Sequence, residues 1–219
     1  MNFSQLFFNF TKKNSYEEED FIFSTENKQA YDLLEKFFAK NFQSLIIIGE
    51  EACGKTFLFN IFSQKFAAKF ITKKDLIKTN LAQFFKENNF YILEDIDKIN
   101  DDELLFHTIN SASEAGAFLL MSAQNITIFK LKDLDSRIKN IINAKIQNPQ
   151  TEMVRMLLIQ GFAKRQLKIS NEIVNYLTKN LNRNYQEIHN ILEKIENFCH
   201  KNKGVISLDI IKRGLEENA

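Results

Sequence analysis

Residues 49–56 read GEEACGKT, directly after the apolar run SLIII at 44–48. This stretch restricts the fold more than any other in the chain. It satisfies G-x-x-x-x-G-K-[ST] in full, and its context matches: an apolar run before it and helical spacing after it. A continuous apolar run ending at glycine reads as a buried parallel strand. The segment from Gly54 to about Phe66 reads as the helix that follows. Strand, glycine-rich turn and helix N-terminus together form a phosphate cradle. Gly49 and Gly54 let backbone N–H groups wrap an anion, and the helix end adds partial positive charge. In such a loop Lys55 reaches the β- and γ-phosphates and the Thr56 hydroxyl serves Mg²⁺. Cys53 is a small loop residue beside them, and Phe57 opens the helix.

Further apolar runs alternate with helical spacing along the chain. AKFI (68–71), NFYILED (89–95), AFLLMS (117–122) and INAKIQ (142–147) read as strands. Helices are predicted over STENKQAYDLLEKFFAK, over 73–87 as one continuous element, and over DDELLFHTINSASEAG. Residues 131–140, LKDLDSRIKN, read as a loop leading into a helical turn. This alternation indicates an α/β fold built on a parallel sheet. The only proline, Pro149, then marks a boundary. Beyond it the spacing is helical over roughly 150–165, 170–181, 184–202 and 207–217. The expected layout is a tail over 1–20, an α/β domain over 21–149 and a small all-α domain over 150–219.

Loops at the carboxyl ends of neighbouring strands share one crevice. FYILED therefore delivers acids toward the phosphate loop. Glu94 stands where the Mg²⁺ partner is expected, Asp95 is the candidate for orienting water, and Asp97 reads as a surface acid. His107, His189 and His200 are isolated on predicted helices and read as surface or partly packed residues. Phe57, Phe59, Phe62 and Phe66 read as a core stripe.

The charge balance, 29 basic against 28 acidic side chains, argues against coating DNA or a membrane by charge alone. The 24 Asn, 22 Phe and 24 Lys stand against 5 Arg. With lysine so strongly favoured, each arginine is a candidate for a planar, bidentate role. No apolar run approaches the roughly 18 residues that cross a bilayer. Two cysteines without metal or disulfide spacing fit a reducing cytoplasm.

The phosphate loop, the acidic strand end, AFLLMSAQN, DLDSRI and the helical tail resemble an AAA+ ATPase, and more narrowly the AAA+ module of the replication initiator DnaA. DFIFSTENKQA is similar to the initiator segment around the adenine, with Phe21, Ile22, Asn27 and Ala30 on matching positions. QNPQTEMVRMLL resembles the entry to the lid. The resemblance implies bound ADP or ATP with Mg²⁺. It places Arg137 of DLDSRI where the family carries an arginine finger, a cation that in well-studied cases is worth roughly 10³–10⁵ in rate. Ser122 and Gln124 fall at one nucleotide-sensing position. Gln186 aligns with the lid arginine of the family, and Arg183 lies one turn before it. Gln186 supplies no cation and Glu94 departs from the usual Asp, so vigorous intrinsic hydrolysis is not expected.

DnaA continues into a helix-turn-helix domain, whereas this chain reaches Ala219 after the lid. A DnaA-like module with a short tail is similar to the Hda family, which switches the initiator off. That likeness implies two partners, DnaA and the sliding clamp, with DNA reached through the clamp and no membrane. It leaves self-association open. The tail sequence QLFFNF resembles a clamp-binding peptide: Gln5 and Leu6 match, and Phe8 and Phe10 occupy the later apolar positions. Two other readings stay open: an AAA+ helper ATPase acting on a helicase or on DNA, and a non-catalytic scaffold that uses nucleotide to hold its fold.

Overall fold

In the computed structural model, residues 16–126 and 129–201 are described, together with residues 208 and 211. The tail residues Gln5, Leu6, Phe8 and Phe10 lie outside them, as does most of the helix expected over 207–217. Five strands form one parallel sheet: β1 (Ser44–Ile48), β2 (Lys69–Ile71), β3 (Phe90–Leu93), β4 (Phe118–Ala123) and β5 (Ile142–Lys145). Their order is β2-β3-β4-β1-β5. Ile48 of β1 pairs with Ala123 of β4 and with Lys145 of β5, and Leu93 of β3 pairs with Met121. The carboxyl ends of β1, β3 and β4 therefore finish side by side.

Successive residues of a strand point to opposite faces, and both faces here are covered. Leu45 and Ile47 pack with α1 (Lys28–Phe38) and α2 (Lys55–Phe66), alongside Phe90, Ile92, Phe118 and Leu120. Ile46 and Ile48 pack on the other side with Leu93, Leu119 and Met121. That side is covered by α3 (Lys73–Lys78), α5 (Asp102–Glu114) and α6 (Lys132–Asn140). The first face is dense in phenylalanine. Phe38 stacks on Phe62 and Phe66, and Phe37 meets Phe90 and Phe118 edge-on. Each such ring, fully buried, contributes about 1.5–3 kcal/mol. The expected stripe on α2 holds only for Phe59 and Phe62. Phe66 is 42% exposed at the helix end, and Phe57 is half-buried at the mouth of the phosphate loop.

Two expectations need correction. The helix predicted over 73–87 is broken at Thr79, which is extended, and a four-residue helix α4 (Leu81–Phe84) starts anew after Asn80. The Asn80 side chain caps it by accepting from Ala82 N–H, a local hydrogen bond that apolar spacing cannot signal. The segment 131–140 is not a loop. Its last nine residues form α6, anchored by Leu134 and Ile138 in the core. Those two apolar positions four apart are enough, while every other position is polar or charged.

Beyond Pro149 come α7 (Thr151–Lys164), α8 (Asn171–Asn180) and α9 (Tyr185–Lys201). They share their own apolar cluster, which includes Val154, Leu158, Leu177, Ile188 and Leu192. Among the described residues no helix is long and apolar enough to cross a membrane. Helices α7 and α9 approach closely at Gly161. A Cβ there would lie 2.4 Å from one Leu192 methyl and 2.9 Å from the other. Gly161→Ala is therefore expected to destabilise the helical unit by about 1–3 kcal/mol, the usual cost of overpacking. Urea unfolding followed by circular dichroism reads this as a lower midpoint.

Candidate nucleotide-binding site

At the end of β1 the chain turns through residues 49–54 and enters α2. Gly54 has φ +99°, a conformation that side chains resist, and a Cβ there would press on the Phe21 ring at 3.3 Å. Gly49 is fixed by space: a Cβ would stand 2.6 Å from Cys53 Sγ and 3.3 Å from Ile146 Cβ. Lys55 follows and is only 7% exposed. Its ammonium donates to Gly49 O at 2.6 Å and Glu50 O at 2.9 Å, and lies 3.8 Å from Cys53 Sγ. No carboxylate pairs with this cation among the described residues. Burial pushes the Cys53 thiol up against the lowering pull of Lys55, which keeps the sulfur neutral at ordinary pH.

The Thr56 hydroxyl donates to Glu94 Oε1 at 2.5 Å, joining the first turn of α2 to the end of β3. A hydroxyl and a carboxylate on one spot suit Mg²⁺, which takes a few protein oxygens and completes its shell with phosphate and water. Asp95, at φ +54°, turns its carboxylate to Lys98 at 2.9 Å. Its N–H donates to Ser122 Oγ at 3.0 Å. Ser122 is fully buried at the end of β4, so its hydroxyl holds the β3 loop. Gln124 lines the cavity, and its N–H donates to Asp97 Oδ2 at 3.1 Å. Asp97 is thus not the surface acid expected: it pins the β4 loop beside the site.

Together these elements bound a cavity of about 510 Å³. Residues 51–57 form one wall, Asp95, Lys98 and Gln124 another. Tyr16 and His189, both far away in sequence, complete it. The segment leading in from Tyr16 is packed rather than free. Tyr16 meets Phe57 edge-on at 5.2 Å, and Phe21 lies 5.8 Å from the same ring. Glu18 accepts from Tyr31 Oη at 2.7 Å and pairs with Lys65. The Lys65 ammonium, then the Tyr31 hydroxyl, hold the Glu18 carboxyl below the usual range. Asp20 pairs with Lys164 of α7 at 3.1 Å. The described part of the tail expected over 1–20, from Tyr16 onward, is accordingly fastened to the domain.

Asn27 is 1% exposed and spends its side chain on Ile22 O and Ser24 N–H, which shapes the 22–27 loop; Ile22 packs half-buried against the α1–α2 cluster. Neither residue lines the cavity. Next to Asn27, Glu26 accepts from Gln150 N–H at 2.9 Å. Burial works to raise its pKa, but hydrogen bonds, from Gln150 N–H foremost and from the Thr25 hydroxyl, outweigh it and the net shift is downward.

The helical unit reaches the loop through Asn184, whose amide donates to Glu50 Oε2 at 3.0 Å, while Tyr185 Oη donates to Gln147 O. Arg183 does not turn to the cavity. It donates to Gln150 and Thr151 at the start of α7. Gln186 donates to Asn190 one turn along α9. His189 lines the cavity instead. In the sequence it is an isolated histidine on a predicted helix, read as surface or partly packed, and only the docking of α9 brings it to the loop. On α6, Arg137 is exposed and has no hydrogen bond or ion pair among the described residues. Its neighbour Asp135 pairs with Lys139.

Ser122→Ala would remove the acceptor of the Asp95 N–H. The expected cost is about 1–3 kcal/mol for a part-buried donor left alone. It is read as a lower urea midpoint, with hydrogen exchange of the Asp95 amide accelerated relative to that of Leu93.

No family model matches the chain. It is 25% identical over 243 residues to the chromosomal replication initiator DnaA of Buchnera aphidicola subsp. Cinara cedri, covering 97% of this chain and 55% of that protein. The chain spans about half the length of the curated relatives it matches. Among solved structures, domain III of Thermotoga maritima DnaA superposes with a TM-score of 0.73 at 19% identity, over 89% of this chain and 92% of that one. A replication initiator DnaA bound to AMPPCP and single-stranded DNA gives 0.69 at 19%, over 91% of this chain and 68% of that one. The chain is thus similar in sequence to DnaA, and its five-stranded parallel sheet with helices has the AAA+ fold of DnaA domain III.

Proposed function

We propose that this chain is a cytoplasmic regulator of replication initiation of the Hda kind. It binds ADP or ATP with Mg²⁺ in its own loop. It attaches through QLFFNF to a sliding clamp on DNA, and it promotes hydrolysis of the ATP carried by DnaA. Its parts are the tail, the α/β domain to about residue 149 and the lid beyond.

The observation that carries this reading is Arg137. A guanidinium that is exposed, unpaired and held on a helix anchored in the core is available to another molecule. Of the two acids nearby on α6, Asp135 is engaged by Lys139, and Asp133 forms no ion pair with the guanidinium among the described residues. As a γ-phosphoryl group leaves, charge gathers on its peripheral oxygens, and a guanidinium inserted by a neighbour stabilises that charge. Within the chain's own site, Gly49 and Gly54 shape the cradle and Lys55 supplies the cation. Thr56 and Glu94 would hold Mg²⁺, which offsets phosphate charge when bound. Asp95 pairs with Lys98 across a solvent-exposed contact that competes with a role in orienting water without preventing it. Glu94 in place of the usual Asp and Gln186 in place of the lid arginine favour a nucleotide used chiefly for binding rather than rapid turnover.

The tail would work as a tether. Apolar side chains of an extended peptide each contribute about 1.5–3 kcal/mol on docking, and the link raises the local concentration of the module at clamp-loaded DNA.

The test mixes the protein with clamp loaded on DNA and with DnaA carrying labelled ATP, all from one source. Wild type is expected to speed hydrolysis, and Arg137→Ala to lose the stimulation by about 10³-fold or more. Gln5→Ala with Phe8→Ala should lose it only at low protein concentration. Unchanged DnaA-bound ATP with wild type would end the regulator reading. Full stimulation by Arg137→Ala would remove the finger. If ATPase of the protein alone rises with DNA, the helper-ATPase reading takes over.

A further inference from the structure

The lid's contribution to the cavity is His189. Among the described residues it is the lid side chain that lines the cavity of the phosphate loop. The two polar lid residues expected there are engaged elsewhere, Arg183 with Gln150 and Thr151 and Gln186 with Asn190. His189 is half-exposed, and its Nε2 lies 3.2 Å from Glu193 Oε1 on the same helix. That pair is solvent-exposed and exchanges readily for a stronger anion.

From this placement, and resting on the reading that the loop holds a nucleotide, we infer that His189 is a phosphate-contacting residue supplied by the lid. Its protonated imidazole donates an N–H to a phosphate oxygen, leaving Glu193 to solvent. This gives the lid a cation that changes with pH, since histidine is the side chain that ordinarily gains or loses its charge between about pH 5 and 8.

The surrounding charges set the sign. Lys55 and Glu51 face the cavity from the loop, Asp95 and Lys98 from the β3 turn, Tyr16 from the N-terminal segment, and Glu193 from α9 itself. Asp95 and Lys98 neutralise each other. The carboxylate of Glu50 is occupied by Asn184. A bound polyphosphate therefore adds net negative charge next to the imidazole and favours its protonated form. The titration midpoint of His189 rises on binding. By linkage, the extra affinity is fully present below the free-protein midpoint and disappears as pH climbs through the bound-state midpoint. A rise of one pH unit corresponds to about a tenfold change in affinity.

The experiment uses the full chain, ADP and Mg²⁺. Imidazole resonances are titrated with and without ADP, and the signal missing from His189→Gln identifies the residue among the three histidines. The expected result is an upward shift of about half a unit or more for that signal. In parallel, ADP affinity of wild type should fall from pH 6 to pH 8 several-fold more steeply than that of His189→Gln, which carries only the ligand's own titration. His189→Lys should bind tightly at both pH values. If wild type binds ADP but the midpoint stays put, or His189→Gln shows the same pH dependence, the inference is overturned while the nucleotide reading stands. If wild type binds no nucleotide, both fall.

Discussion

The buried ammonium of Lys55 is the point on which the rest of the structure turns. Taking such a charge out of water costs on the order of several kcal/mol unless strong partners surround it. Here the partners among the described residues are two backbone carbonyls and a neutral thiol, with no carboxylate. The chain tolerates this because the loop is built around that side chain. Gly49 leaves room for Cys53, Gly54 turns the chain into α2, and the parallel pairing of β1 with β4 and β5 fixes where the loop starts. The result is a concentrated positive site suited to an anion, with Thr56 and Glu94 beside it to take a divalent cation.

Everything else near the site works by attachment to that loop. Ser122 and Asp97 hold the β3 and β4 turns in register with it. Asn184 brings the helical unit to Glu50, and Tyr185 ties the same helix to Gln147. The segment from Tyr16 to Phe21 lies against Phe57 and is fastened to α1, α2 and α7 through Tyr31, Lys65 and Lys164. Tyr16, the first described residue, thus lies on the cavity wall. In the proposed function, tail, nucleotide and lid would meet there, while Arg137 faces outward from a separate helix toward a neighbour.

The sheet and the phosphate loop were legible because their signals are local and strong: long apolar runs, glycines at fixed offsets and a helix start. Helix α6 was harder. Its burial rests on Leu134 and Ile138 alone, and no side chain caps its start at Leu131. The break at Thr79 was hidden for a related reason, since a cap by Asn80 leaves apolar spacing intact. The roles of Asp97 and Arg183 depend on hydrogen bonds to partners about 30 residues away in sequence that only the folded chain brings close. His189 is the sharpest case. Its neighbours in sequence mark it as a helix-surface residue, and only the packing of α9 puts it on the cavity wall. Contacts between distant segments leave no periodic trace.

Calorimetric titration of the purified chain with ADP in Mg²⁺ tests the central claim most directly, paired with Lys55→Ala checked for native circular dichroism. The account predicts one ADP per chain, with binding lost in Lys55→Ala. No heat of binding from wild type, or equal affinity in the folded variant, would contradict it.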